Sequence, residues 1–258
     1  MSPASSTGHS GTRLAGRNVV VTGAARGIGA AIARGVARAG ATVVCIDVDE
    51  DGAQSTAASL DGATAFGCDL TDFATVERVG TTIASQVGRI DGLVTAAGGS
   101  RGEARAFLEI DVATWHTMID RNLTSTFYTA LVFARLMAPE RAGSIVLVSS
   151  QLSGVVRPGL AHYSAAKGAV NQLVRGMAVD LGPLGIRVNA IGPGPTETPG
   201  NAAWFARPDV QEQHARLIPL GRVADPGEMA GAAVHLLSDE SSYTTGAVLM
   251  IDGGYTLT

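Results

Sequence analysis

The sequence predicts a doubly wound α/β fold, a parallel sheet of about seven strands with helices on both faces, and two observations carry that expectation. Short β-branched runs alternate along the chain with longer segments whose apolar residues recur at helical spacing. The runs themselves, such as Val-Val-Val-Thr-Gly from Val19 and Ser-Ile-Val-Leu-Val-Ser-Ser from Ser144, are apolar throughout instead of alternating. Strands read this way when helices cover both of their faces.

Taken in order, the first strand is expected over Asn18 to Thr22, followed by a helix over Ile28 to Ala39. A second strand over Thr42 to Asp47 precedes a polar helix near Ala53 to Leu60, and Thr64 to Cys68 precedes a helix over Phe73 to Val87. Gly92 to Ala96 leads into one long helical segment from about Val112 to Met137, and Ser144 to Ser149 leads into Ser164 to Leu181. Strands over Arg187 to Ile191 and Val248 to Ile251 close the series, with a helix near Gly227 to Leu237 between them. No repeat or second β-α series marks a second domain, so residues 14–258 are expected to form one domain behind a flexible tail, 1–13. Between Gly192 and Asp225 five prolines and the pair Trp204-Phe205 occupy a stretch too long for an ordinary connection. Such stretches serve as lids, and this one, about 192–224, is read as a substrate lid.

Composition narrows the function. A formal net charge of −4 argues against a surface built for nucleic acid or an anionic membrane. No run approaches the roughly 18 apolar residues of a membrane span, and the first twelve residues lack the apolar middle of a secretory signal. A cytoplasmic protein is therefore expected, with Cys45 and Cys68 as buried free thiols and no metal site, since no Cys/His cluster has zinc spacing. Of the 19 basic residues, 18 are arginine and one is Lys167. In a chain that uses arginine wherever a generic cation will do, a single lysine points to a need for the compact ammonium group.

The chemistry begins after the first strand, at Thr22-Gly23-Ala24-Ala25-Arg26-Gly27-Ile28-Gly29. Glycines there permit a tight turn and close backbone approach to a phosphate, while the free amides and dipole of the following helix attract the anion. Asp47 stands 24 residues beyond Gly23 at the end of the second strand, where a carboxylate accepts from ribose hydroxyls and repels a 2′-phosphate. This favours NAD over NADP, with Arg26 as the counter-argument.

With these motifs in place, the chain resembles the short-chain dehydrogenase/reductase family, in its single-domain Rossmann-fold branch, from about Gly16 to Tyr255. The turn matches TGxxxGIG, Tyr163 to Lys167 matches YxxxK, and Ser150 stands thirteen residues before the tyrosine. Asn122 matches the helix asparagine, Asn189 with Pro193, Gly194 and Thr198 matches NxxxPGxxxT, and Asp252-Gly253-Gly254 matches the C-terminal DGG. The resemblance implies further cofactor contacts from Asp69, Leu70, Ala97, Gly98, Pro193, Gly194, Thr196 and Thr198, a proton relay through Asn122, and a homotetramer. One departure stands out: Thr95-Ala96-Ala97-Gly98 lacks the amide side chain common after the fourth strand, so sheet stability is expected to lean more on packing.

The active-site reading also stands on spacing. Tyr163 and Lys167 are four residues apart and share a helix face. Lowering a phenol of pKa about 10 by about three units needs roughly 4 kcal/mol. A cation about 4 Å away at an effective dielectric near 20 supplies about that much, and an oxidised nicotinamide adds to it. Ser150, at the carboxyl end of the fifth strand, can hold the substrate oxygen, whereas Ser149 reads as a serine that starts a turn. Gln151, His162, Trp204 and Phe205 are the expected substrate contacts beside Ser150 and Tyr163. The reading is an NAD-dependent oxidoreductase interconverting a secondary alcohol (sugar, polyol or cyclic alcohol) and its ketone, with Ser150, Tyr163, Lys167 and Asn122 as the catalytic set. A 3-oxoacyl-type carbonyl reductase and a non-catalytic NAD(H) sensor on the same fold are the alternatives.

Overall fold

The computed structural model describes residues 13–100 and 102–258. The expected tail, apart from Arg13, lies outside the described residues. Seven strands form one parallel sheet in the order β3-β2-β1-β4-β5-β6-β7. They are β1 (Asn18–Thr22), β2 (Thr42–Asp47), β3 (Thr64–Gly67), β4 (Gly92–Thr95), β5 (Gly143–Val148), β6 (Ile186–Pro193) and β7 (Val248–Ile251). All fall within two residues of their expected bounds.

The helices divide between the two faces. On one, α1 (Gly27–Arg38), α2 (Glu50–Ala58) and α9 (Glu228–Leu237) bury Ile32, Val36, Ala53, Met229 and Leu236 against Val19, Val21 and Val43. On the other, α3 (Phe73–Val87), α5 (Ser125–Met137) and α6 (Ala161–Leu181) bury Val79, Ile83, Phe133, Val170 and Val174 against Val20, Val44 and Ile145. Successive residues of one strand thus enter opposite cores, which is why the strands carry no polar alternation. Cys45 and Cys68 are free and buried, one in each core.

Because the chain runs outward from β1 through β2 to β3 and then restarts at β4 on β1's other side, a crevice opens at the carboxyl ends of β1 and β4. The expected long helix over Val112 to Met137 is divided. Helix α4 (Val112–Ile119) passes into a π-helical turn over Asp120–Thr124 before α5 begins. Single π-turns of this kind gather at functional positions, and this one carries Asn122. The stretch after β6 is also more ordered than a plain loop, holding α7 (Ala202–Phe205) and α8 (Pro208–Leu217). Pro208 occupies the start of α8, where its missing amide hydrogen costs nothing, and Val210 and His214 one turn apart form its buried side. No helix among the described residues is long and apolar enough to cross a membrane.

Candidate functional site

The turn from β1 into α1 is built of backbone. Gly23 and Gly27 have φ of +68° and +58°, and a Cβ on Gly23 would stand 2.6 Å from the Ala97 amide nitrogen. A Cβ on Gly29 would overlap the Gly23 carbonyl. Helix α1 starts with no side-chain cap at Arg26 and no acidic residue in its first turn. Its leading amides therefore point unpaired toward the crevice, which is what a dinucleotide phosphate requires.

Asp47 closes this turn from β2. Its Oδ2 accepts from the Ala25 amide at 3.0 Å and its Oδ1 from the Asp49 amide at 3.0 Å. Each oxygen retains a lone pair for a ribose hydroxyl. Arg26 is exposed beside it. Past β3, Asp69 accepts from the amide and hydroxyl of Thr71, and Leu70 is buried. Past β4, the Ala97 amide donates to Thr22 Oγ1 at 3.4 Å, and Gly98 has φ of +129°. The Thr95 hydroxyl nearby is buried with no hydrogen-bond partner, so the polar tie missing from the sequence here is missing from the structure too.

Across the crevice, Ser150, Tyr163 and Lys167 meet at the carboxyl end of β5. Lys167 is 3% exposed, its Nζ donates to the Val148 carbonyl at 2.9 Å, and it lies 5.9 Å from the centroid of the Tyr163 ring. Burial brings its pKa down to about 8. The Tyr163 phenol moves the other way: burial raises it above its ordinary value, and hydrogen bonding with Ser150 only partly opposes this. In the protein without a dinucleotide, desolvation by burial therefore dominates at Tyr163, whose expected lowering also counts the charge of an oxidised nicotinamide.

The family model described as enoyl-(acyl carrier protein) reductase matches residues 23–256. A cis-4-hydroxycyclohexanecarboxylate dehydrogenase of Sinomonas cyclohexanicum is 42% identical, over 95% of this chain and 99% of its own. A D-threitol dehydrogenase of Mycolicibacterium smegmatis is 38% identical, over 95% of both chains. A gluconate 5-dehydrogenase from Burkholderia cenocepacia, solved with NADP and tartrate, superposes with a TM-score of 0.90 at 34% identity, over 95% of this chain and 97% of that one.

The chain belongs to the short-chain dehydrogenase/reductase family.

Within this short-chain dehydrogenase/reductase, Ser150 hydrogen-bonds with Tyr163, and it is Ser150, not Ser149 as expected, that caps the turn. Ser150 starts the turn: its Oγ accepts from the Leu152 amide at 3.1 Å and donates to Gln151 Oε1 at 3.1 Å. Ser149 turns inward instead, donating to Asn171 Oδ1 at 2.6 Å and so pinning β5 to α6. Asn122 is fully buried. Its Oδ1 accepts from the Gly99 amide at 2.8 Å, and its Nδ2 donates to the Gly99 and Met118 carbonyls. Its amide thus clasps the loop after β4, while Lys167 Nζ bonds to Val148, and the side chains of the two form no direct hydrogen bond.

Beyond β6, Gly194 packs so closely on Asp252 that a Cβ would stand 2.5 Å from its Cα, and Thr196 donates to the Gly194 carbonyl at 2.9 Å. The Thr198 amide donates to Asn201 Oδ1 at 2.6 Å, and Thr198 lies over Gly27, so the stretch expected to serve as a lid begins against the glycine turn. Asn189 is structural, spanning β6 to the Thr244 carbonyl and Ala247 amide before β7. Trp204 is 40% exposed and Phe205 is buried, and both stack edge-on against His214. The expectation that His162 lines the cleft is not met: the ring is wholly buried and both nitrogens lack a partner. It faces inward because the side of α6 that carries His162 and Ala166 lies in the core. Sequence reasoning missed His214 and Arg157. The helical spacing of Val210 and His214 behind Pro208 was the available signal for the first.

Proposed function

We propose that this short-chain dehydrogenase/reductase is an NAD-dependent oxidoreductase that interconverts a secondary alcohol, of the sugar, polyol or cyclic class, with its ketone. The observation that carries the reading is the meeting of Ser150, Tyr163 and Lys167 at the carboxyl end of β5, opposite a phosphate-binding turn built of bare backbone. Amides of Gly27, Ile28 and Gly29 receive the pyrophosphate, with Gly23 and Arg26 shaping the turn, and Asp47 accepts from the adenosine ribose. Asp69 and Leu70 border the adenine. Ala97 and Gly98 leave room for the middle of the dinucleotide, and Pro193, Gly194, Thr196 and Thr198 border its nicotinamide end.

A bound nicotinamide dinucleotide supplies a two-electron acceptor and, when oxidised, a positive charge. Tyr163 takes the hydroxyl proton of the alcohol, and Ser150 holds the same oxygen. Lys167 donates to the nicotinamide ribose and adds its charge near the phenol. Since burial raises Tyr163 in the protein alone, its activation depends on charge arriving with the dinucleotide. Asn122 contributes by holding the loop at Gly99 and so the wall of the crevice.

The polyol and cyclic-alcohol relatives support the substrate class, and Asp47 supports NAD although one structural neighbour carries NADP. The exposed Trp115 and Phe127 on α4 and α5 support association through these helices into the expected homotetramer, which size-exclusion with light scattering checks.

A panel of polyols, sugars and cyclic alcohols with NAD, followed by absorbance of the reduced cofactor, tests the activity. Tyr163→Phe is expected to lower kcat at least about 100-fold while NAD affinity stays within about threefold. Tight NAD binding with no turnover of any alcohol would favour the sensor instead.

A further inference from the structure

We propose that Arg157 binds a carboxylate on the substrate, so that the alcohols this site handles best are hydroxy acids. The inference rests on the oxidoreductase reading above and narrows its substrate class.

Arg157 lies in the connection from β5 to α6, seven residues after Ser150 and six before Tyr163. It is half-buried, and its Nη1 stands 3.5 Å from His214 Nε2 on α8. The guanidinium therefore links the connection that runs from Ser150 to Tyr163 with α8. The loop after β4 is tied to the same connection, because the Arg105 amide donates to the Gly159 carbonyl at 2.9 Å.

His214 brings no negative charge to this arrangement. The ring is 1% exposed, and its Nδ1 lies 2.7 Å from the Val210 carbonyl. A carbonyl only accepts, so Nδ1 carries the hydrogen and Nε2 presents its lone pair to the arginine. A hydrogen on Nε2 would face the guanidinium.

Nor does a carboxylate compensate the charge. Among the described residues Arg157 forms no ion pair, whereas Arg17, Arg121, Arg207 and Arg222 each hold an aspartate or glutamate. Arg187, also partly buried, is satisfied by three oxygens, those of Ser238, Ser241 and Thr244. Arg157 has one ring nitrogen and keeps most of its planar fork of donors free, and that fork matches a carboxylate. The dinucleotide phosphates do not compete for it, because their turn belongs to β1 and α1 on the other side of the crevice.

The test uses the full chain with NAD. Oxidation of 3-hydroxybutanoate, 4-hydroxypentanoate and 5-hydroxyhexanoate is compared with that of their methyl esters, and gluconate with glucitol. At least one acid is expected to exceed its neutral counterpart about tenfold in kcat/KM. In Arg157→Gln that acid should lose about 10- to 100-fold, mainly through KM, while the neutral compound changes less than about threefold. Arg157→Lys should recover part of the loss. Glutarate should inhibit oxidation of the neutral alcohol competitively in the wild type and not in Arg157→Gln, and unchanged melting temperatures should accompany both variants. Equal or better use of the neutral compounds by the wild type would overturn the proposal, as would equal losses on both arms in Arg157→Gln. Silence of both arms would overturn the oxidoreductase reading itself, and this proposal with it.

Discussion

The two sides of the crevice are made differently. Around β1, β2 and α1 the surface offered to a ligand is main chain apart from the Asp47 carboxylate, and it is shaped by glycines whose neighbours stand too close for a Cβ. Around β5, α6 and the lid it is side chain: Ser150 capped on its own turn, Lys167 buried on a carbonyl, and Trp204 and Phe205 stacked on His214. A backbone surface suits a constant partner such as a dinucleotide, whereas side chains held by packing can be exchanged to suit different alcohols. The relatives fit this contrast, since they are named for substrates as unlike as threitol and a hydroxycyclohexanecarboxylate.

The contrast can be broken most forcefully at Gly29. With no room beside the Gly23 carbonyl, Gly29→Ala is expected to displace the turn, weakening NAD binding about 100-fold or more by calorimetry and destabilising the fold by about 1–3 kcal/mol. Near-normal NAD binding would show that the backbone there is not the binding surface. A smaller effect is expected at Asp47. Asp47→Asn keeps an acceptor for the turn but removes the charge, and should shift the kcat/KM ratio about tenfold toward NADP.

The side-chain wall has a signature in pH. Lys167 titrates at about 8 in the folded protein against 10.5 when unperturbed, so between these values the unfolded chain binds more protons and stability rises with pH. Cys45 and Cys68, raised by burial to about 11 from 9.0, act in the opposite sense from about pH 8 upward. Both cysteines are present in Lys167→Met, so between pH 8 and 9 the stability of the wild type relative to that variant should rise by about 1 kcal/mol in denaturant titrations. The smallest change is expected at Trp204, which is partly exposed. Trp204→Ala should raise KM for the alcohol about threefold and leave KM for NAD unchanged, and a change in the NAD value would erase the division between the two walls.

Legibility followed the same division. Apolar runs such as Val19 to Val21 announce a strand buried on both faces, and Asp47 at the end of β2 can be located by counting from Gly23. Tyr163 and Lys167 are related by the helix repeat alone. Asn122 is legible as a residue, but its π-turn is not, because one extra residue in a helical turn leaves no mark on the apolar period. Ser149 and Ser150 are adjacent and chemically identical, and only the twist at the end of β5 directs one into α6 and leaves the other on the turn. His162, polar and beside the tyrosine, reads as a cleft residue until the width of the buried face of α6 is known.

By itself the sequence determined the seven strands and most of the helices between them, the glycine turn with its acid, and the spacing of serine, tyrosine and lysine, because each is written in the local pattern of residues along the chain. Tertiary structure alone decided that burial raises Tyr163 and lowers Lys167, and that Arg157 meets His214 of α8. Desolvation and charge pairing depend on which distant segments close around a group, and His214 is 57 residues from Arg157 in the chain.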